Sequence, residues 1–233
     1  MKTIQSGDVI SYLEMCAIES VNLQRGMNFH LKGGPSVILM SIHPGAPYAD
    51  RIEQDGKILI YEGHDVPRDK NNNTNPKFID QPMLTPSGSL TENGKFYQVA
   101  QIYKNNKAPA ELVKVYEKIR AGIWVYNGIF KLIDAWQERS NARKVFKFKL
   151  AASDEVASQK INNKEIHQTR LIPTSVKLEV WKRDKGQCLL CKSKDNLHFD
   201  HIIPYSKGGS SLVTENIQLL CARHNLGKRD RIT

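Results

Sequence analysis

The sequence lacks long hydrophobic runs, and it contains few cysteines. Its apolar stretches, such as Val37-Ile-Leu-Met40, are far shorter than the roughly 20 residues that a membrane-spanning helix needs. The N-terminal stretch MKTIQSGDVISYLEM is interrupted by polar and acidic residues, unlike the apolar region of a secretory signal peptide. The chain has four cysteines, and the spacing of three of them, Cys188, Cys191 and Cys221, suggests a metal site rather than a disulfide framework. We therefore expect no membrane association and no disulfide-rich secreted fold, and the default location is the cytoplasm.

Acidic residues are also in deficit. The chain has 34 Lys and Arg against 24 Asp and Glu, which gives a net charge of +10. The excess is shared equally by residues 1–150 and residues 151–233 rather than concentrated in a tail. Basic domains attract polyanions such as nucleic acids. A solvated basic surface would carry the same charge, so charge alone leaves a nucleic-acid partner open.

Three of the four cysteines lie near the C terminus, where their spacing predicts a metal site. Cys188-x-x-Cys191 is followed by Cys221-x-x-His224. Each tight turn presents two ligands, and thiolates with an imidazole suit tetrahedral zinc. Reduced core cysteines are the alternative, but the core of a segment of about 60 residues is marginal without such a metal. Four protein ligands leave no open position, so the predicted zinc is structural.

Several short motifs lie between and after these two turns. They are Asp200-His201-Ile-Ile-Pro204, Lys207-Gly-Gly209, Asn216-Ile-Gln-Leu-Leu-Cys221 and Asn225-Leu-Gly-Lys228. The order and spacing resemble the HNH endonuclease family, whose pattern is DHI-P, then GG, then N-hydrophobic-Q-x-L-C, then N/H-x-x-K. The resemblance covers about 60 residues and implies a ββα-metal fold that grips one catalytic divalent cation, Mg²⁺, Mn²⁺ or similar.

The resemblance also implies a role for each matching residue. Asp200 would bind the catalytic cation, and Asn225 would be the second protein ligand. His201 would activate water as the general base, which is the part that a neutral imidazole can take in phosphodiester hydrolysis. Asn216 would brace the loop that carries the base, and Lys228 would contact phosphate near the cut. The family often has His where Asn225 stands, and an amide there weakens metal affinity.

His198 is a competing candidate for the general base. Adjacent residues of a strand point to opposite faces. The side chains of Asp200 and His201 can therefore reach the same catalytic site only if the strand is locally irregular. His198 shares the face of Asp200. The alternative for His198 is a histidine that packs within the hairpin.

Residues 1–150 predict a domain of short strands with some helix, and its core spans about 34–150. Its β-rich runs are 36–42, 57–61 and 143–150, whereas 87–101 and 109–118 have helical character. In the second domain, residues 176–183 predict an amphipathic helix. Thr174 or Ser175 would cap the last of these helices. Residues 151–172 are polar and nearly free of aromatics, which is typical of a linker, and 173–233 form the second domain.

A series of N-terminal motifs carries a second resemblance. The motifs are Pro47-Tyr48-Ala-Asp50, Tyr61-Glu-Gly63, Asp80-Gln81, Thr91-Glu-Asn93 and Tyr126-Asn-Gly128 followed by Trp136. A β-rich core would explain each motif singly. Their order resembles the SRA domain, a modified-cytosine reader with GGYxDD, YTG, DQ, T-x-N and YDGLYxV…W. The implied fold is a PUA-like β-barrel with flanking helices, so the whole chain would be α+β.

SRA domains flip a base out of the duplex into an aromatic-walled pocket. By position, Tyr48 and Tyr61 would be the stacking walls, and Asp50 would accept a hydrogen bond from the cytosine amine. Glu62 replaces the family's Thr and would reshape the wall that meets the 5-substituent. Ordinary strand aromatics are the alternative for the two tyrosines, and a turn or capping carboxylate is the alternative for Asp50.

The two resemblances together identify the chain as similar to modification-dependent, type IV-like restriction endonucleases of the bacterial cytoplasm. The implied partner is double-stranded DNA that carries 5-methylcytosine or 5-hydroxymethylcytosine. One HNH module cuts one strand, so a double-strand break predicts a homodimer. Two alternatives stay open: a homing-type HNH nickase that acts on unmodified DNA, and a non-catalytic protein that only binds modified DNA.

Overall fold

The computed structural model describes residues 4–68, 74–153 and 171–228, and its class is α+β, as predicted. The strands in these ranges are β1 (Val9–Ser11), β2 (Met27–Asn28), β3 (Ser36–Met40), β4 (Arg51–Glu53), β5 (Ile58–Glu62), β6 (Glu111–Arg120), β7 (Ile123–Ser140), β8 (Arg143–Ala152), β9 (Leu197–His201) and β10 (Ile217–Cys221). The helices are α1 (Tyr12–Glu19), α2 (Glu92–Lys104), α3 (Thr174–Arg183) and α4 (Ala222–Lys228). None of these helices is both long and apolar enough to cross a membrane.

The N-terminal part is built on one large sheet in the order β2-β3-β6-β7-β8-β5-β4, with β1 paired to β7. The β3–β6 pair is parallel and the other pairs are antiparallel. In the described ranges no hydrogen-bonded pairing joins the end strands β2 and β4. On β8, Phe146, Phe148 and Leu150 alternate into the main core, which confirms the predicted strand. Helix α2 packs Phe96 and Ala100 against the same core.

The prediction of helix over residues 109–118 is wrong, because Glu111–Arg120 is strand β6. Val113 and Val115 enter the main core, whereas Tyr116 packs in a separate core on the other side of the sheet. The alternation of these residues has period two, which is that of a strand. Pairing with both β3 and β7 places this segment inside the sheet, with a strand on each side.

The predicted cap of α3 is also wrong in detail. The helix begins at Thr174, its N-cap is Pro173, and no side chain caps it. The Thr174 hydroxyl instead donates to the Glu117 carboxylate on β6. The Thr174 hydroxyl is therefore bonded to a residue of the N-terminal sheet and does not cap the helix as the sequence pattern predicts.

The C-terminal part is an antiparallel β9–β10 hairpin that leads directly into α4. Helix α3 packs on β10, and the backbone N–H of Leu219 donates to the Asp184 carboxylate at 2.9 Å. This order of hairpin and helix is the ββα arrangement that the sequence motifs imply.

The predicted linker falls mainly on residues 154–170, which lie outside the described ranges. Directly after it, Leu171 is buried in the main core of the N-terminal sheet. Ile172 is buried in a second core, which contains residues of both the sheet and the hairpin. Gly56 has a positive φ, and a Cβ there would lie 2.3 Å from the Leu171 carbonyl oxygen. The backbone of Leu171 therefore packs directly against the turn that contains Gly56 in the N-terminal part.

Candidate nuclease centre and base cavity

Four predicted zinc ligands come together at the start of the hairpin module. One ligand atom from each of Cys188, Cys191, Cys221 and His224 lies within 4.8 Å of the others. The Cys191 and Cys221 sulfurs are 3.7 Å apart, and the His224 Nδ1 is 3.3 Å from the Cys221 sulfur. Ligands at about 2.3 Å from a tetrahedral zinc ion would be separated by about 3.8 Å. The quartet therefore has the donor set and the spacing to hold zinc.

The environment of Cys188 favours the thiolate that a metal needs. Although burial raises the pKa of this thiol, N–H groups of the Cys191 and Cys221 backbone lower it to about 6. The His224 ring adds to this lowering through its contact with the Cys188 sulfur. A thiol with such a pKa binds metal readily at neutral pH.

Asp200 and Lys228 form an ion pair in the nuclease centre. The Lys228 amine lies 2.7 Å from the Asp200 carboxylate and also donates to the His201 carbonyl oxygen. The lysine side chain is 3% exposed and the aspartate 19%. Lys228, which sequence reasoning assigned to phosphate, thus neutralises the predicted metal ligand. Asn225 stands one turn earlier on α4, the helix that packs against β9.

His201, the predicted general base, ends strand β9. Its Nε2 atom lies 2.8 Å from the hydroxyl of Ser211, which is fully buried. A histidine whose one ring nitrogen is held by such a partner has a fixed orientation. Sequence reasoning missed Ser211, because a serine in a loop gives no signal of this contact.

Asn216 holds both sides of the loop that follows His201. Its Oδ1 accepts from the Ile203 N–H at 2.8 Å, and its Nδ2 donates to the carbonyl oxygens of Ile203 and Ser210. A Cβ on Gly209 would lie 1.8 Å from the Ile203 oxygen, so only glycine fits there. This is the bracing position that the resemblance assigns to Asn216.

His198, the competing candidate, is tied to the N-terminal segment. Its Nδ1 lies 3.0 Å from the Asp8 carboxylate, and its side chain is 13% exposed. Asp8 also pairs with His198 through a backbone bridge. The ring is therefore engaged in a contact between the two parts of the chain.

A cavity of about 650 Å³ opens in the N-terminal part. It is lined by Tyr12, Leu23, Gln24, Arg25, Gly26, Leu39, Met40, Ser41, Pro47, Tyr48, Asp50, Tyr61, His64, Lys118 and Trp124. The structure brings Tyr48, Asp50 and Tyr61 together here, as the predicted pocket requires. Glu62 is not among the described residues that line the cavity.

Asp50 lies at the buried wall of this cavity. Its two carboxylate oxygens accept from the backbone N–H groups of Ser41 at 3.2 Å and Glu62 at 3.0 Å. Burial raises the pKa of Asp50 to about 7, although these hydrogen bonds act in the opposite direction. The carboxylate is thus fixed in direction and poised between its two protonation states near neutral pH.

Three of the rings that line the cavity contact one another. The rings of Tyr48 and His64 are stacked, with centroids 5.6 Å apart and planes at 17°. The Tyr61 hydroxyl lies 3.0 Å from the His64 Nε2, and the Lys77 amine sits 4.0 Å from the centre of the Tyr48 ring. Burial lowers the pKa of His64 to about 4, so its imidazole is neutral at pH 7.

Glu62 points to the other face of β5 from Tyr61, as strand alternation requires. Its carboxylate lies 2.8 Å from the Lys147 amine and 3.4 Å from the Arg143 guanidinium, and it accepts from the Ala49 N–H. All three side chains of this ionic cluster are buried. Glu62 therefore supports the loop that carries Tyr48 and does not form a wall of the cavity.

Sequence reasoning missed several cavity residues. His64 directly follows the Tyr61-Glu-Gly63 motif, and that proximity is the signal that could have found it. Arg25, Lys118 and Trp124 come from distant segments, and no local pattern marks them. Arg25 is exposed beside the cavity, so it adds positive charge there.

Comparisons with known proteins address both parts of the chain. Residues 188–231 match the family model described as HNH endonuclease, so the C-terminal module is of that type. No curated protein matches the chain.

Solved structures give likenesses over longer parts of the chain. The chain is similar to the SUVH5 SRA domain in complex with methylated CHH DNA, with 22% identity, a TM-score of 0.45 and coverage of 64% of this chain and 89% of that chain. It is similar to the SUVH5 SRA domain bound to fully hydroxymethylated CG DNA, with 22% identity, a TM-score of 0.42 and coverage of 65% and 87%. It is also similar to the modification-dependent TagI restriction endonuclease, with 17% identity, a TM-score of 0.40 and coverage of 95% and 76%.

Proposed function

We propose that this protein is a modification-dependent DNA endonuclease that reads a modified cytosine in its N-terminal cavity and cuts nearby with its HNH module. The observation that carries the proposal is the presence, in one chain, of an HNH match and of a cavity lined by aromatic rings and the Asp50 carboxylate. The cavity volume falls in the range of small-molecule sites, about 300–1,000 Å³.

In the proposed reader, a cytosine carrying a 5-methyl or 5-hydroxymethyl group leaves the duplex and enters the cavity. Unstacking costs a few kcal/mol. Stacking on Tyr48 and Tyr61 offsets this cost, since each base stacked on an aromatic ring gains about 1–3 kcal/mol. The Asp50 carboxylate accepts from the exocyclic amine, which thymine lacks. The net charge of +10 on the whole chain favours the approach of DNA.

In the proposed nuclease, the carboxylate of Asp200 and the amide of Asn225 would hold a divalent cation such as Mg²⁺ or Mn²⁺. These are oxygen donors of the kind that hard cations prefer. When bound, the cation would supply neutralisation of the charge that develops on the phosphate. His201 removes a proton from the attacking water, and Ser211 holds its ring in place. Zinc in the Cys188 quartet would stabilise the module without taking part in the reaction.

A single HNH module acts on one strand, so we propose that a double-strand break requires two copies of the chain. A homodimer or paired binding would satisfy this need. The proposed setting is the bacterial cytoplasm, where an enzyme that requires the modified base leaves unmodified host DNA intact.

The test is digestion of matched duplexes that contain cytosine, 5-methylcytosine, 5-hydroxymethylcytosine or glucosylated hydroxymethylcytosine, with Mg²⁺ or Mn²⁺ added. We expect cutting of the methylated or hydroxymethylated duplex and sparing of the plain one. Equal cutting of all duplexes would instead show a nuclease that reads unmodified DNA. Tight binding of the modified duplex with no cutting under either metal would show a non-catalytic reader.

A further inference from the structure

A buried ionic cluster joins the nuclease module to the N-terminal sheet. Lys177 on α3 places its amine 2.6 Å from the carboxylate of Glu117 on β6. The side chains of this pair are 2% and 0% exposed. The same amine donates to the Asn127 side-chain oxygen at 2.7 Å, and the Asn127 amide donates back to Glu117 at 2.9 Å. The Thr174 hydroxyl donates to the other Glu117 oxygen.

Each charge in this cluster is fully partnered only while α3 sits on the sheet. A displacement of α3 that kept Glu117 covered would leave its carboxylate buried without a cation, which is strongly unfavourable. A shift by one helical turn would also misplace the directional bonds to Asn127 and Thr174. The desolvation cost of such a pair can match its attraction, so the intact pair adds little net stability, whereas removal of one partner is strongly destabilising. The cluster therefore selects one position of the module.

The segment before β1 forms a second connection. The Gly7 N–H donates to the Tyr126 carbonyl on β7, and the Gly7 carbonyl accepts from the Phe199 N–H on β9. The next residue, Asp8, pairs with His198 at 3.0 Å. A Cβ on Gly7 would lie 2.9 Å from the His198 ring and from the Phe199 oxygen, so the two parts approach too closely for any side chain there.

A shared apolar core completes the contact. Ile119 and Val125 of the N-terminal sheet are buried in the same cluster as Val176 and Val180 of α3 and Phe199 of β9. These five side chains are at most 5% exposed. The contact between the two parts thus has the features of a protein interior rather than of a loose interface between domains.

We propose that Glu117 and Lys177 are positioning residues that dock the nuclease module on the reader as one rigid body, so that this junction, and not the length of residues 154–170, sets the distance from the modified base to the cut. The cleavage part of this inference rests on the proposed function. The docking part does not, and it is tested separately.

The docking test uses the full chain with a protease site inserted within residues 154–170. After cleavage, we expect the two fragments to elute together in native size-exclusion chromatography. Lys177→Met leaves Glu117 buried without its cation, so its cleaved fragments should separate. Lys182→Met removes an equivalent charge from an exposed position of the same helix, and its fragments should stay together. Separation of the wild-type fragments, or co-elution of the Lys177→Met fragments, would overturn the inference.

The cleavage test lengthens residues 154–170 by ten Gly and Ser residues. A flexible tether of that length has an end-to-end distance of about 17 Å, or about five base-pair steps, and would spread the cut positions accordingly. We expect the uncleaved, extended protein to cut at the same positions as the wild type. In the Lys177→Met background the same extension should broaden the pattern, while binding of modified DNA is unchanged.

The two tests separate the two ideas. If no substrate is cut but the wild-type fragments co-elute and the Lys177→Met fragments do not, the proposed function fails and the docking stands. If modified DNA is cut but the extended wild-type protein spreads its cuts, the proposed function stands and the junction does not set the cleavage distance.

Discussion

Replacement of Asn216 by alanine should disable the nuclease while the reader is left intact. The side chain makes three hydrogen bonds across the loop after His201, two to Ile203 and one to Ser210. At about 1 kcal/mol for each bond, their loss should lower the stability of the module by about 3 kcal/mol. The loop then no longer fixes the end of β9, and a shift of about 1 Å at a reacting group can reduce the rate by about 100-fold.

The assay combines two measurements on Asn216→Ala. Denaturant unfolding of the full chain reports the lost stability, and single-turnover cleavage of a modified duplex reports the rate of the chemical step. Binding of the same duplex should be unchanged, because the base cavity lies in the N-terminal part. Zinc content should also be retained, since Asn216 is not among the four described ligands.

Asn216→Asp distinguishes bracing from direct metal binding. The carboxylate can still accept from the Ile203 N–H, but it cannot donate to the Ile203 and Ser210 carbonyl oxygens and would repel them. If the residue braces the loop, the Asp variant should be about as impaired as the Ala variant. If it instead bound the catalytic cation, the Asp variant would offer a stronger oxygen ligand and keep its activity. An active Asp variant beside an inactive Ala variant would therefore refute the reasoning.

Three further predictions concern the other site residues. His201→Ala should abolish cutting and leave DNA binding unchanged in a gel-shift assay; retained cutting would move the general base to His198. Cys188→Ser should release zinc, measured by metal analysis, and unfold the C-terminal part, since structural zinc contributes about 10–16 kcal/mol; a folded, zinc-free variant would contradict the structural role. The raised pKa of Asp50, about 7, means that its carboxylate gains charge as pH rises through neutrality. Preference for methylcytosine over thymine in competition binding should therefore rise with pH in the wild type and stay flat in Asp50→Asn.

The features that could be predicted from the sequence are those encoded locally. The two Cys turns and the hairpin motifs lie within one short segment, and their spacing follows from the ligand and strand geometry alone. The β8 strand was equally accessible, because Phe146, Phe148 and Leu150 repeat with the period of a strand. The prediction of helix for residues 109–118 was wrong because local composition did not reveal that the segment runs between β3 and β7 inside the sheet.

The junction between the two parts could not have been predicted from the sequence. Lys177 lies in an amphipathic helix, where a lysine normally faces solvent, and its partner Glu117 is 60 positions earlier. Nothing in either local pattern marks the pair as buried. Glu62 misled sequence reasoning in a related way, because its place in the Tyr61-Glu-Gly63 motif suggested a cavity wall. Its charge is instead used on the opposite face of the strand, against Lys147 and Arg143.

Among the described lysine–carboxylate pairs, three have both a separation of at most 2.8 Å and a lysine side chain that is at most 3% exposed, and these three differ in their consequences. The pairs are Glu62–Lys147, Glu117–Lys177 and Asp200–Lys228, at 2.8, 2.6 and 2.7 Å. In the first two, both side chains are at most 4% exposed, so neither carboxylate can exchange its partner without losing most of its stabilisation. The Asp200 side chain is 19% exposed and can meet a cation from solvent. Of the three pairs, Asp200–Lys228 is thus the one in which another cation can replace the lysine, and it lies where the reaction would need one.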